Sequence, residues 1–188
     1  MFEVGVVSIV GRPAKNHPQQ VAARHSGDRL FDDGRIDLTD DVDDRGTPQD
    51  LFDEMNAEFH FTVDVAASHM NHKCERYYTR ESDGLNRDWS GEVVWCNPPY
   101  SNIRPWVVKA WESKATVVML VPANRTEQKW WQDLIEPHRD RGGRLSVRFI
   151  AGRLKFTKPG AVKAEANSRP PFGVCVLVWE KVREWCDE

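Results

Sequence analysis

Apolar residues fall along this chain in short runs, separated by stretches whose apolar positions recur at helical spacing. After Thr47 and Pro48, the residues Leu51, Phe52, Met55 and Phe59 lie on one helical face. A helix is therefore predicted with Thr47 as cap, Pro48 at its first position and Asp50 in its first turn. Residues 61–66 read as a short strand ending at Asp64, and residues 92–96 as the next strand. Residues 104–113 turn Trp106, Val107, Ala110 and Trp111 inward on a helix, and residues 115–121 form an apolar run typical of a buried parallel strand. A helix capped by Asn124 or Thr126 runs through Ile135 with Trp130, Trp131 and Leu134 on its apolar stripe. Residues 145–150 and 173–179 complete the strands. Strands alternating with helices predict an α/β fold: a mostly parallel open sheet flanked by helices, of the Rossmann kind. In such sheets ligands bind at the carboxyl ends of the strands, and Asp64, Asn97 and Pro122 share that rim.

The 188 residues suit one domain with a real core, and the 40% hydrophobic content agrees. No stretch approaches the ~20 apolar residues of a membrane span, and residues 1 onward lack a signal-peptide pattern, so a cytoplasmic protein is expected. Cys74, Cys96, Cys175 and Cys186 lack metal-ligand or paired spacing; they read as reduced thiols, and no metal is expected. The net charge of −3 is uneven. Residues 1–46 hold nine acids against six bases and, to about residue 45, read as a flexible acidic extension with a short strand at residues 4–10. The folded domain is expected from residue 46 to residue 188. Residues 137–169 hold nine Lys or Arg against Asp140 and Glu165. That excess suggests a phosphate-binding surface.

The strand at residues 92–96 runs into Asn97-Pro98-Pro99-Tyr100. Consecutive prolines cannot donate ladder hydrogen bonds, so the strand stops and Asn97 and Tyr100 are held in a stiff turn. The Asn97 side-chain carbonyl and the Pro98 backbone carbonyl can accept from an exocyclic amino group, while Tyr100 offers a stacking face to the base that carries it. Adenine fits that description.

Six blocks in order carry a family likeness over residues 47–179: Thr47-Pro48-Gln49-Asp50-Leu51-Phe52, Asp64-Val65-Ala66-Ala67, Asp83-Gly84-Leu85 with Asp88-Trp89, Asn97-Pro98-Pro99-Tyr100, Pro122-Ala123-Asn124-Arg125-Thr126, and Gly152-Arg153-Leu154-Lys155-Phe156. The chain resembles the small phage-type, Dam-like DNA N6-adenine methyltransferases. The resemblance implies a methyl group moved from S-adenosylmethionine to the adenine N6 of double-stranded DNA. It also implies cofactor contacts at Thr47, Pro48, Asp64, Ala66, Asp83 or Asp88, Leu85 and Asn97, with Asn97, Pro98, Pro99 and Tyr100 catalytic. Arg125, Thr126, Arg153 and Lys155 would meet the nucleic acid, and Phe172, with Phe156, would be a further aromatic beside the extruded base. Val65-Ala66-Ala67-Ser68 stands where the wider methyltransferase pattern has a glycine-rich loop. Two other readings remain open here: methylation of RNA or of a protein amide, and a non-catalytic DNA-binding protein on the same fold.

Overall fold

The computed structural model describes residues 43–157 and 170–181. The apolar runs become five strands: β1 (Val63–Asp64), β2 (Val93–Cys96), β3 (Thr116–Pro122), β4 (Leu145–Phe149) and β5 (Val174–Trp179). They form one sheet in the order β1-β2-β3-β5-β4. β1, β2 and β3 are parallel, with Asp64 opposite Trp95 and Cys96 opposite Met119. Their carboxyl ends therefore finish on one rim, with Asp64, Asn97 and Pro122 together as expected.

The sheet is mixed rather than mostly parallel. β5 runs antiparallel to both β3 and β4, so half of the neighbouring pairs are antiparallel although four of the five strands point the same way. The cause is where β5 begins. Phe149, at the end of β4, lies opposite Cys175, near the start of β5. A strand entered at the rim where its predecessor ended must run back, because a parallel partner needs a crossover to the opposite rim. Every residue of β5 is buried, and burial on both faces gives the same uninterrupted apolar pattern as a parallel strand.

Three helices cover the faces: α1 (Gln49–Phe59), α2 (Arg104–Glu112) and α3 (Lys129–Leu134). Side chains along β3 alternate between two cores, as a pleated strand requires. Val117, Met119 and Val121 join Trp106, Val107, Trp130 and Trp131 from the α2 and α3 side. Val118 and Leu120 join Leu51, Phe52 and Met55 from α1. Trp95, fully buried, meets Phe52 edge to face at a centroid distance of 5.5 Å, a geometry worth about 0.5–1.5 kcal/mol beyond burial alone.

Two helix starts differ from expectation. Pro48, with ψ of 138°, takes the position before α1, so Thr47 sits one residue too far out to cap it. α3 begins only at Lys129, after Gln128, and neither Asn124 nor Thr126 caps it. Residues 123–128 turn instead, with Arg125 drawn to the Tyr100 carbonyl and Gln128 N–H donating back to the Arg125 carbonyl at 3.1 Å. Residues 43–46 are built against the sheet rim, while the strand expected at residues 4–10 lies outside the described residues. Among the described residues no helix is long and apolar enough to cross a membrane.

Candidate active site

The Asn-Pro-Pro-Tyr turn leaves β2 at the centre of the rim. Asn97 Nδ2 donates to the Arg45 backbone carbonyl at 2.9 Å. A carbonyl can only accept, so this bond fixes which end of the amide faces Arg45. The other end, Oδ1, is buried and has no hydrogen-bond partner among the described residues. Thr47 Oγ1 is likewise buried and unpartnered, in a residue only 2% exposed. Leaving such a group unsatisfied costs about 1–3 kcal/mol, so two at one rim mark places that a ligand's polar groups would complete. Pro98 is buried and Pro99 half-buried; the turn closes with Asn102 N–H donating to the Pro99 carbonyl at 3.1 Å.

Tyr100 is set more deeply than an open stacking face would be. Its half-buried ring meets Phe156 edge-on and Phe172 at a tilt, each at a centroid distance of 6.2 Å. Its hydroxyl is buried without a partner among the described residues, and burial pushes that hydroxyl's pKa upward. Phe156 is 5% exposed and belongs to the core around α1. Phe172 is half-buried on the outer side of the same aromatic group. The Tyr100 carbonyl accepts from Arg125 Nη1. That bond ties half-buried Arg125, which the sequence suggested as a phosphate contact, to the Asn-Pro-Pro-Tyr turn.

Asp64 closes β1 in a buried position. Its carboxylate accepts from Lys73 N–H at 3.0 Å and from Ala66 N–H at 3.3 Å. Burial nevertheless pushes its pKa up to about 7, against the opposing pull of those two bonds and of the Lys73 charge. The loop that Asp64 organises reaches α1, where Lys73 Nζ donates to Gln49 Oε1 at 2.9 Å. Thr47, Asp64 and Asn97 thereby belong to one part of the rim, and their chain neighbours Pro48 and Ala66 are half-buried.

Asp83-Gly84 is a turn, and the glycine is the residue brought inward. A Cβ on Gly84 would lie 2.0 Å from the Val65 carbonyl oxygen, while Trp89 Nε1 donates to the Gly84 carbonyl at 2.9 Å. Leu85 packs half-buried on the core. Asp83 is exposed in a left-handed conformation with φ of 50° and accepts from Asn86 Nδ2. Asp88 is exposed and accepts from Ser90 N–H at 2.9 Å, which holds its carboxyl below the usual range.

Among the described residues, the basic stretch from residue 137 to residue 157 does not form one surface. β4 runs through it, so residues 139–144 lie at the rim opposite the site, while residues 150–157 emerge beside it. Several of the charges are also occupied. Arg139 pairs with Glu136, and Arg144 donates to the carbonyls of Glu180, Trp111 and Ala115. Arg148 forks onto Glu58 at 2.6 and 2.8 Å. At the site rim Arg153, Lys155 and Thr126 are exposed. Residues 158–169 lie outside the described residues.

Sequence reasoning misses the part played by residues 43–46, of which 43–45 fall in the expected acidic extension and Gly46 opens the expected domain. Asp43 Oδ1 accepts from Ser101 N–H at 3.1 Å, Asp44 accepts from Asn71 Nδ2, and Arg45 holds Asn97. Gly46 and Thr157 exchange two backbone hydrogen bonds at 2.9 and 3.0 Å. Cys96 and Cys175 lie in β2 and β5 as expected, and with Cys74 they are free and buried.

Comparison with known proteins bears on this rim. Residues 37–186 match the family model described as DNA N-6-adenine-methyltransferase (Dam). A DNA N-6-adenine-methyltransferase of Haemophilus phage HP1 (strain HP1c1) is 35% identical over 115 residues, 58% of this chain and 63% of that protein. A protein of the same description from Escherichia phage T1 is 34% identical over 85 residues, 43% of this chain and 36% of its own length. The chain thus spans less than two thirds of either relative. The family model, in contrast, takes in both the rim and the strands that carry it, and the chain belongs to the DNA N-6-adenine-methyltransferase (Dam) family.

Proposed function

We propose that this protein transfers a methyl group from S-adenosylmethionine to the N6 amino group of adenine in double-stranded DNA, on a Rossmann-like methyltransferase fold. The observation that carries this reading is the buried, unpartnered Oδ1 of Asn97, fixed by the Arg45 carbonyl at the end of β2. An amide oxygen held in that way suits a ligand N–H. The N6 lone pair of adenine is delocalised into the ring, which makes the nitrogen a poor nucleophile. Asn97 Oδ1 and the Pro98 carbonyl would accept hydrogen bonds from its two N–H groups, turning the nitrogen toward a tetrahedral geometry with its lone pair out of the ring plane. That is positioning and electrostatic preorganisation. No strong base is needed, because the nitrogen becomes acidic once it carries the methyl group and then releases its proton.

The residues present fit the cofactor. When bound, S-adenosylmethionine supplies an electrophilic sulfonium methyl. Thr47 Oγ1, unpartnered beside the amino end of α1, suits a carboxylate or other polar group. Asp64 keeps acceptor capacity beyond its two backbone donors, and Pro48, Ala66 and Leu85 supply apolar wall. Reaching N6 in duplex DNA requires the adenine to leave its stack, at a cost of a few kcal/mol that aromatic contact must offset. Phe172, half-buried at the outer edge of the Tyr100 group, and Tyr100 itself would provide it. Arg153, Lys155 and Thr126 would meet the DNA backbone, and Arg125 would brace the turn that holds Asn97.

The test is methyl transfer from labelled S-adenosylmethionine to DNA, RNA and protein in parallel, with Asn97→Ala as control. Label is expected in DNA as N6-methyladenine, with the variant slower by about 10²- to 10³-fold, the usual loss when one preorganised polar group is removed. Label confined to RNA or protein, or full activity in Asn97→Ala, would overturn the proposal.

A further inference from the structure

Residues 43–46 cross the site rim and hydrogen-bond to Ser101, Asn71, Asn97 and Thr157. Asp43 takes the N–H of Ser101, Asp44 takes the amide of Asn71, and the Arg45 carbonyl takes the amide of Asn97. Gly46 then locks onto Thr157 through a pair of backbone hydrogen bonds, and Thr157 Oγ1 adds a third contact to the Gly46 carbonyl at 3.2 Å. Thr157 closes the loop that carries Arg153 and Lys155. One short segment therefore connects the catalytic amide to the loop expected to meet the DNA backbone.

An asparagine amide has two ends of nearly equal size and opposite hydrogen-bonding character. A reaction that needs two acceptors at the target nitrogen fails if the NH2 end faces it, because a donor would then oppose a donor. Neither the prolines nor the strand decides between the ends. The Arg45 carbonyl does, since it is an acceptor placed 2.9 Å from one of them. Its position depends in turn on the Gly46–Thr157 pairing. The fit there leaves little room: a Cβ on Gly46 would stand 2.4 Å from Thr157 Oγ1, with the next atoms at 3.6 Å (Asn71 Cβ) and 3.8 Å (Thr157 Cβ).

We propose that residues 43–46 act as a positioning strap, in which the Arg45 carbonyl orients the Asn97 amide for acceptance and the Gly46–Thr157 pairing holds that carbonyl in place. The catalytic half of this inference rests on the methyltransferase reading above; the orientation of the amide does not. The strap contributes no reacting group, so its loss should lower kcat and leave the KM for the methyl donor nearly unchanged.

The experiment follows from the crowding at Gly46. Gly46→Ala drives a methyl group into Thr157 Oγ1 and should lift the strap, whereas Gly46→Ala combined with Thr157→Ala removes the obstructing oxygen and leaves ordinary contacts. Two readouts are taken on the full chain: steady-state methyl transfer to DNA, and the side-chain amide protons of Asn97 by NMR without substrate. In the wild type those protons are expected to exchange slowly with water. In Gly46→Ala they should lose protection and kcat should fall about tenfold or more, since misplacement on the ångström scale has cost as much as 10²-fold elsewhere. The double variant should regain both. A wild-type Asn97 amide in fast exchange, wild-type kcat in Gly46→Ala, or a folded double variant that regains neither signal would overturn the strap. A wild type with a protected amide and no methyl transfer to DNA would instead overturn the functional reading and leave the strap standing.

Discussion

Asp64 offers the sharpest quantitative test, because its burial makes the protein's stability depend on pH in an unusual direction. Its folded-state pKa is about 7 against the ordinary 3.8. At ~1.4 kcal/mol per pH unit this difference places a penalty of about 4 kcal/mol on the folded state once the group is ionised. Below about pH 4 both folded and unfolded chains keep the proton, and the penalty is absent. Between about pH 4 and pH 7 the unfolded chain releases a proton that the folded one retains, so this group's contribution to stability falls as pH rises. Asp64→Asn removes the ionisation and keeps the shape. Its amide oxygen can still accept from Lys73 N–H, but its NH2 must then face Ala66 N–H, and losing that weaker bond costs about 1–3 kcal/mol. The variant is therefore expected to be less stable than wild type by about 1–3 kcal/mol at pH 4 and more stable by about the same amount at pH 8. Urea unfolding of both proteins across that range, with m-values compared, measures the crossing. A stability difference that stays flat with pH would refute the argument. Methyl transfer by Asp64→Asn should be weakened even where its stability is improved, the trade-off expected when a strained group is kept for activity.

Two further outcomes follow from the packing. Gly84→Ala places a Cβ 2.0 Å from the Val65 carbonyl oxygen, a backbone atom that cannot swing aside as a side chain could. A loss of about 3 kcal/mol is expected, at the upper end of overpacking costs, read as a fall in Tm of about 6–12 °C. Phe156→Ala should cost about 3–5 kcal/mol of stability as a buried aromatic truncation. Phe172→Ala should leave Tm nearly unchanged and weaken DNA binding by about 1–3 kcal/mol, the scale of base–aromatic stacking; thermal melts and DNA titrations on the pair would separate the two roles.

The sequence made the rim legible because its signals are local. An apolar strand that stops at two prolines, and a strand that stops at a carboxylate, can be read residue by residue, and β1, β2 and β3 place Asp64, Asn97 and Pro122 together. The direction of β5 was not legible, since full burial erases the alternation that separates antiparallel strands from parallel ones. The bond from Arg125 to the Tyr100 carbonyl was hidden for a different reason. A guanidinium that braces a backbone carbonyl has the same letter as one that meets a phosphate. The path of the basic stretch was not legible either, since among the described residues β4 carries residues 139–144 and 150–157 to opposite rims.

Residues 43–46 show why composition alone failed at the site itself. Asp43, Asp44, Arg45 and Gly46 close an acidic stretch without apolar periodicity, the pattern of a solvated tail. Their work is done by backbone groups and short side chains: a carbonyl for Asn97, a ladder pair for Thr157, and carboxylates for Ser101 and Asn71. A backbone carbonyl leaves no mark in the sequence. What it leaves in the structure is an imbalance, an amide with its nitrogen satisfied and its oxygen buried without a partner among the described residues. Thr47 Oγ1 and the Tyr100 hydroxyl share that condition near the same rim, and the buried carboxylate of Asp64 stands beside them with its pKa raised. A core selected for stability alone would pair or exclude such groups. Trp179 Nε1 is the exception, without a partner among the described residues at the far end of β5. The concentration of the others at the carboxyl ends of β1 and β2 is a local excess of unsatisfied polarity in a sheet otherwise packed with apolar side chains. Polar groups of a bound cofactor and an extruded base would relieve it, so binding either one should raise stability at the cost of neither core.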